Sequence, residues 1–396
     1  MVSASGTFYS APVITGESGL GDTYPNVPVS YTATPLQNRV LTADTVSFGL
    51  VHVGATVGGT TTLRTAGNNA SFTAITVGNS SNGGFSLTGG TNPVFNAASV
   101  IDGRTLGGML GTAGTFTNAT ALLLTPGTEA GVTGTQDPVS VAVKYDASVF
   151  SGSAVWNGPG LGSWGQSTSG NWTDTTTPAI TAAPGTFGAE FSATDTAVFN
   201  AGGNGTVGLD GVSPSLAAIT FNDGSHTIAK GTGGVLTLKN NLGPATITDS
   251  MGSQSITAPV VLSSNLIATV TRAQDTLTMS GKIDGAGKTL TKEGEGVLLL
   301  SGLQSYATLD TNAGTTNVYG SFTGGTAMVH ANAKTNFIAS QTLAALVIGD
   351  GVEVTFGDGI ILAAAAENFA AAVPEPGAVG LLLIGALGVL WRRPGR

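Results

Sequence analysis

The chain has 396 residues, of which 60 are Gly and none is Cys; 9% are charged, and the formal net charge is −9. The absent cysteines exclude disulfides, zinc–thiolate sites and thiol nucleophiles, and 14 Lys and Arg in the whole chain supply no basic stripe for nucleic acid. An ordinary apolar content of 41% argues against disorder; the length allows two or three domains, and this composition suits short strands joined by Gly and Asn turns.

Residues 1–38, rich in Pro, Tyr and Thr, read as an extended lead-in. Residues 39–150 form a first unit. Its strand-like runs include Thr45–Gly54, Thr60–Thr65, Phe72–Val77, Phe85–Leu87, Ala121–Thr125 and Val139–Tyr145, with turns such as Ser81-Asn82-Gly83-Gly84 between them. About seven short strands in about 100 residues predict an Ig-like β-sandwich. The phrases Phe48–Gly54 and Phe85–Gly89 resemble the Ig-like modules of bacterial "choice-of-anchor" surface proteins.

Residues 151–362 read as a second unit. It opens on Trp156, Trp164 and Trp172 within Val155-Trp156-Asn157-Gly158, Gly162-Ser163-Trp164 and Ser169-Gly170-Asn171-Trp172. Clustered tryptophans suggest either a sugar-stacking site or rings closing the end of a solenoid, and the second reading is preferred. From about 195 the runs Ala218–Gly224, Val235–Leu238, Ala245–Thr248, Ser255–Leu262, Leu266–Val270 and Thr276–Gly285 alternate apolar and polar residues, which puts one face inward. Gly and Asn sit at the corners, where positive φ is needed. Without helical runs or hairpin signals, this pattern predicts a parallel β-helix. Roughly eight rungs at about 4.8 Å make a rod of about 40 Å.

The stretch Leu290-Thr291-Lys292-Glu293-Gly294-Glu295-Gly296-Val297-Leu298-Leu299-Leu300-Ser301-Gly302, followed by Tyr306 and Gly314–Gly320, resembles the autotransporter-associated β-strand repeat. Its core reads L-x-K-x-G-x-G-x-L-x-L-S-G. Ala307-Thr308 departs from the Gly-Thr that usually follows the tyrosine. The resemblance spans roughly 155–360 and implies a right-handed β-helix stalk at a cell surface. The translocating barrel of autotransporters is not part of the sequence.

Residues 363–372 read as a small-residue linker. The tail, 373–396, begins with Pro374-Glu375-Pro376, whose prolines prevent a regular helix. The 15 uncharged residues 377–391 span about 22 Å as a helix, short of the roughly 20 residues a bilayer core needs. Trp391 would mark the interface, and Arg392, Arg393 and Arg396 the cytoplasmic side. This order of parts resembles the PEP-CTERM sorting signal of Gram-negative bacteria. The resemblance implies export, transient inner-membrane anchoring by a short C-terminal hydrophobic helix, and processing by an exosortase, and it points to exopolysaccharide as a partner. Such proteins begin with a signal peptide; Met1–Phe8 has neither basic nor apolar region, so the start is expected to be truncated or misassigned.

No catalytic residue, cofactor or metal site is expected. His52, His226 and His330 lie in strand-like contexts without HExxH spacing, and no nucleophile elbow is present. Gly202-Gly203-Asn204-Gly205 is similar to a calcium nonapeptide but lacks its Asp. Asp350-Gly351 and Asp358-Gly359 read as turns, as do Asp275, Asp284, Glu293 and Glu295. No Gly-rich loop joins a strand to a helix for nucleotide binding. The sequence therefore predicts a non-enzymatic, all-β surface or matrix protein. The alternatives are an adhesin or a polysaccharide-degrading enzyme on a β-helix, which would need charged residues clustered on one face.

Overall fold

A computed structural model of the chain describes residues 40–66, 84–91, 101–124, 141–188 and 194–364, with the short stretches 6–10, 29–33, 75–76, 81–82, 94–95, 127–128 and 190–191. Among these the fold is all-β, with no α-helix. The chain divides into two compact units. One comprises residues 1–49, 56–109 and 116–147; the other comprises 50–55, 110–115 and 148–396.

The larger sheet of the first unit is antiparallel. A five-stranded sheet runs in the order Val40–Ala43, Thr56–Ala66, Ile101–Met109, Phe85–Thr88, Ser81–Asn82. Strands drawn from Gly114–Leu124, Val141–Phe150 and Val46–His52 form a three-stranded sheet. Alternation drives the layering: Leu63, Leu87, Leu106 and Val143 are fully buried, as a period-two pattern demands. Phe85 of the larger sheet meets Tyr145 of the smaller at 5.1 Å between ring centroids.

The second unit is a parallel β-solenoid of about eight turns. Each turn contributes a strand to up to three faces. The first face stacks Thr196–Phe199, Ala218–Phe221, Ala245–Asp249 and Leu266–Val270, then the later parts of Ile283–Glu293 and Gln304–Thr311, then Met328–Ala331 and Ala345–Ile348. The second stacks Gly205–Gly208, His226–Ala229, Gln254–Ile256, Thr276–Met279, Val297–Leu300, Thr315–Val318, Lys334–Phe337 and Val354–Phe356. The third runs from Ser215–Leu216 through Leu236–Leu238 and Val260–Leu262 into the early parts of Ile283–Glu293 and Gln304–Thr311. It continues through a single bridge from Gln304 to Phe322, and Gln341–Leu343 pairs with Leu362–Ala364.

Register turns the alternation into continuous interior columns. Val207, Ile228, Ile256, Met279, Leu300, Val318, Phe337 and Phe356 stack in line on the second face. Each inward residue removes apolar surface from water at about 25 cal/mol per Å², and each backbone edge is satisfied by the next turn.

The repeat core over 290–302 is one such turn, and its residue types follow from its geometry. Leu290, Leu298 and Leu300 are fully buried. Gly294 has φ +76°, and a Cβ there would strike the Val270 carbonyl. At the next corner Gly281, Gly302 and Gly320 lie over one another, and a Cβ on either of the last two would meet the carbonyl oxygen of the glycine a turn below. Tyr306 is buried, in register with Gly285 and edge-on to Phe322 at 5.4 Å.

Two local readings change. Asp284 and Glu293 lie in the strand Ile283–Glu293 rather than in turns, because the ladder continues around that corner with only a register shift between Gly285 and Thr289. The last strand, Leu362–Ala364, takes in the first two residues of the expected linker.

Candidate functional site

The solenoid presents two kinds of polar residue: half-buried columns on its outer side and a few ionisable groups inside. On the outer second face Thr206, Thr227, Ser255, Thr278, Leu299, Asn317, Asn336 and Thr355 stand in register. The last three are linked: Asn336 Nδ2 donates to Asn317 Oδ1 at 2.7 Å, and Thr355 Oγ1 donates to Asn336 Oδ1 at 2.6 Å. A second ladder runs beside the first face, where Asn332 donates to Asn312 at 3.2 Å and Asn312 to Glu293 at 2.8 Å. Near it His330 Nδ1 lies 2.7 Å from Asp310 Oδ1, with both side chains partly exposed.

The interior groups are the ones sequence reasoning missed. Lys292 is fully buried in the column Ala268, Lys292, Thr311. Its Nζ donates to the carbonyls of Glu293 and Gly294 at 2.7 Å and of Ala313 at 3.2 Å, tying its own corner to the next. Burial lowers its pKa to about 8, with the Glu293 charge opposing.

Asp249 is also fully buried, in register between Phe221 and Val270. Neither carboxyl oxygen has a hydrogen-bond partner. Burial, reinforced by the charge of Asp275, raises its pKa to about 7. Gln254, whose amide nitrogen is given to the Gly224 and Met251 carbonyls at 3.0 Å, opposes this weakly.

The third buried group joins residues far apart in sequence. His52 Nε2 lies 2.7 Å from Asp195 Oδ1, and its Nδ1 lies 2.6 Å from the Val53 carbonyl. A carbonyl only accepts, so Nδ1 carries a proton. Asp195 in turn accepts from the Gly185 amide at 2.5 Å. Burial works against the charged ring, but the hydrogen bond and charge of Asp195 outweigh it, and the pKa is raised. Phe191 stacks on the ring at 4.3 Å, with Phe150 and Phe187 edge-on. Its sequence signal is weak, since 143 residues separate the partners.

The tryptophans are inside. Trp156, Trp164 and Trp172 are 0–1% exposed, in contact at 5.1 and 4.6 Å. Trp172 Nε1 donates to the Trp164 carbonyl and Trp164 Nε1 to that of Pro184. They offer no face to a sugar and pack on Phe199 of the first complete turn. The sorting residues Pro374, Glu375, Pro376, Trp391, Arg392, Arg393 and Arg396 lie outside the described residues. Among the described residues no helix is long and apolar enough to cross a membrane, and no group of three or more His, Asp or Glu is placed to hold a metal. No protein-family model matches the chain, and neither a curated protein nor a solved structure matches it.

Proposed function

We propose that the chain is a non-enzymatic, exported surface or matrix protein whose solenoid serves as a stalk. The observation that carries this reading is the solenoid's division of labour. Its interior is a set of stacked apolar columns interrupted at few places, Lys292 and Asp249 among them, while its exterior is rich in threonine, serine and asparagine, with interspersed apolar residues such as Leu299, and carries few charges. Such a rod holds its form through ladders of backbone hydrogen bonds and presents repeated hydroxyl and amide groups to its surroundings. The first unit, with Phe85 of one sheet packed on Tyr145 of the other, is compatible with an Ig-like sandwich. The tail supports the destination: Pro374-Glu375-Pro376, the apolar run and the terminal arginines would direct transient membrane anchoring and exosortase cleavage, with exopolysaccharide as the partner outside.

Mass spectrometry of C-terminal peptides from surface, medium and inner-membrane fractions tests the reading. Chains ending near Pro374–Pro376 are expected at the surface or in the medium. Intact Arg396 confined to the inner membrane would make the tail a plain anchor and remove the inferred destination.

An enzymatic reading draws on Asp249, a carboxyl raised beside Asp275, since catalytic acids are tuned in this way. Its place in the solenoid core, with no exposure, argues for a structural role. Reducing-sugar release from a glycan panel, abolished in Asp249→Asn, would reverse that judgement.

A further inference from the structure

We propose that the outer second face over 297–357 is a binding surface for an extended neutral polysaccharide lying along the solenoid axis. This inference rests on the surface-protein reading above and assigns the partner to one face.

Three features converge there. The first is the amide and hydroxyl ladder of Asn317, Asn336 and Thr355. Its internal bonds use one of the two N–H groups of Asn336, so donors and acceptors remain for sugar hydroxyls. The second is an exposed aromatic ring. Tyr319 follows Asn317 by two residues and so shares its side of the strand, and the register continues past the strand end, because Tyr319 N donates to Leu300 O and Ile338 N to Val318 O. Tyr319 is 47% exposed, and Ile338, a turn further on, is 40% exposed. An apolar ring with a polar tip beside an amide column is suited to the C–H face and hydroxyl edge of a pyranose.

The third feature is charge. Lys334, the one cation in the strands of this face, pairs with Glu353 at 3.0 Å, and Glu295 and Asp350 add acidic charge at the corners leading into it. An acidic polymer would have to compete with Glu353 for Lys334 and approach these carboxylates, while a neutral one needs no countercharge. The turns repeat every ~4.8 Å, comparable to the advance of one sugar in an extended chain. Successive residues of the polymer would therefore lie against successive turns.

Affinity electrophoresis of the full chain in mild detergent tests the assignment, with hydroxyethyl cellulose as the neutral β-glucan and alginate as the acidic control. Retardation by the neutral glucan and not by alginate is expected. Tyr319→Ala should weaken retardation about tenfold with an unchanged melting curve, while Tyr319→Phe, which keeps the ring, should retain most of it. Equal retardation of the wild type and Tyr319→Ala, or retardation by alginate alone, would overturn the assignment. A chain cleaved near Pro376 and found at the surface, yet indifferent to neutral glucan, also overturns it and leaves the surface-protein reading standing. Uncleaved chain held in the inner membrane defeats that reading itself, whatever the gel shows.

Discussion

Lys292 and Asp249 make an instructive pair, because one solenoid buries an opposite charge at each of two corners and treats them differently. Both lie late in a strand of the first face, and both are fully buried. Around Lys292 three backbone carbonyls converge within 3.2 Å. Corner carbonyls leave the ladder direction at each bend, and an ammonium is the side chain that can gather several of them. Around Asp249 no donor makes a well-formed hydrogen bond to either oxygen, the Gln254 amide acting on it only weakly, and the neighbours in register are Phe221 and Val270. A carboxylate would need N–H groups, and the amides near this bend go elsewhere, Gly252 N to Asp275 Oδ2 at 2.9 Å among them. At these two corners the interior offers acceptors to Lys292 and no well-placed donor to Asp249, so the cation is integrated and the acid is driven towards its neutral form.

The sharpest way to break this contrast is Lys292→Ala. It leaves three buried carbonyls without their donor and opens a cavity, at a cost of about 4 kcal/mol, read as a lowered midpoint of urea unfolding. A midpoint within error of the wild type would mean that the carbonyls find water and that Lys292 is not a tie.

The next largest effect has the opposite sign and depends on pH. The Asp249 carboxyl is raised in the folded state from 3.8 to about 7. The folded state then holds a proton that the unfolded chain has released, so this stability is fully present below about pH 4 and is lost as pH rises through about 7. Asp249→Leu, which matches its apolar column, should raise stability at pH 8 by on the order of 3 kcal/mol and by much less at pH 4. Thermal melting at both pH values measures this, and a gain equal at both would deny that the carboxylate charge is the cause.

The smallest change sharpens the account of Lys292. Glu293 is its nearest countercharge and is partly exposed. If the carbonyls dominate, Glu293→Gln should shift stability by less than about 1 kcal/mol, as partly exposed ion pairs do. A loss approaching that of Lys292→Ala would transfer the role from the backbone to the carboxylate.

Much of the solenoid was legible in the sequence, and the reason is local. Alternation in Ala245–Thr248 or Val297–Leu300 needs only a two-residue period to declare an inward face, and Gly294 announces a corner whose φ few other residues adopt. The tryptophans were readable as an end cap because large rings with so few charges nearby seek burial. Asp249 was not legible: the alternating run Ala245–Thr248 stops just before it, and nothing local reveals that it pairs in register with Val270. Nor was His52–Asp195, whose partners meet only because residues 50–55 belong to the solenoid unit. The candidate glycan face lay between the two cases. The polar columns were expected, but Tyr319 joined them only once the register beyond Val318 was known.

Composition and periodicity by themselves determined the all-β class, the parallel stacking and the lack of thiol chemistry, since each depends on residue type or on neighbours a few positions apart. The tertiary structure alone decided which charges are buried, which carbonyls they meet and which outward residues share a column. Those outcomes depend on register between turns 17 to 28 residues apart, and a shift of a single residue would exchange inside for outside.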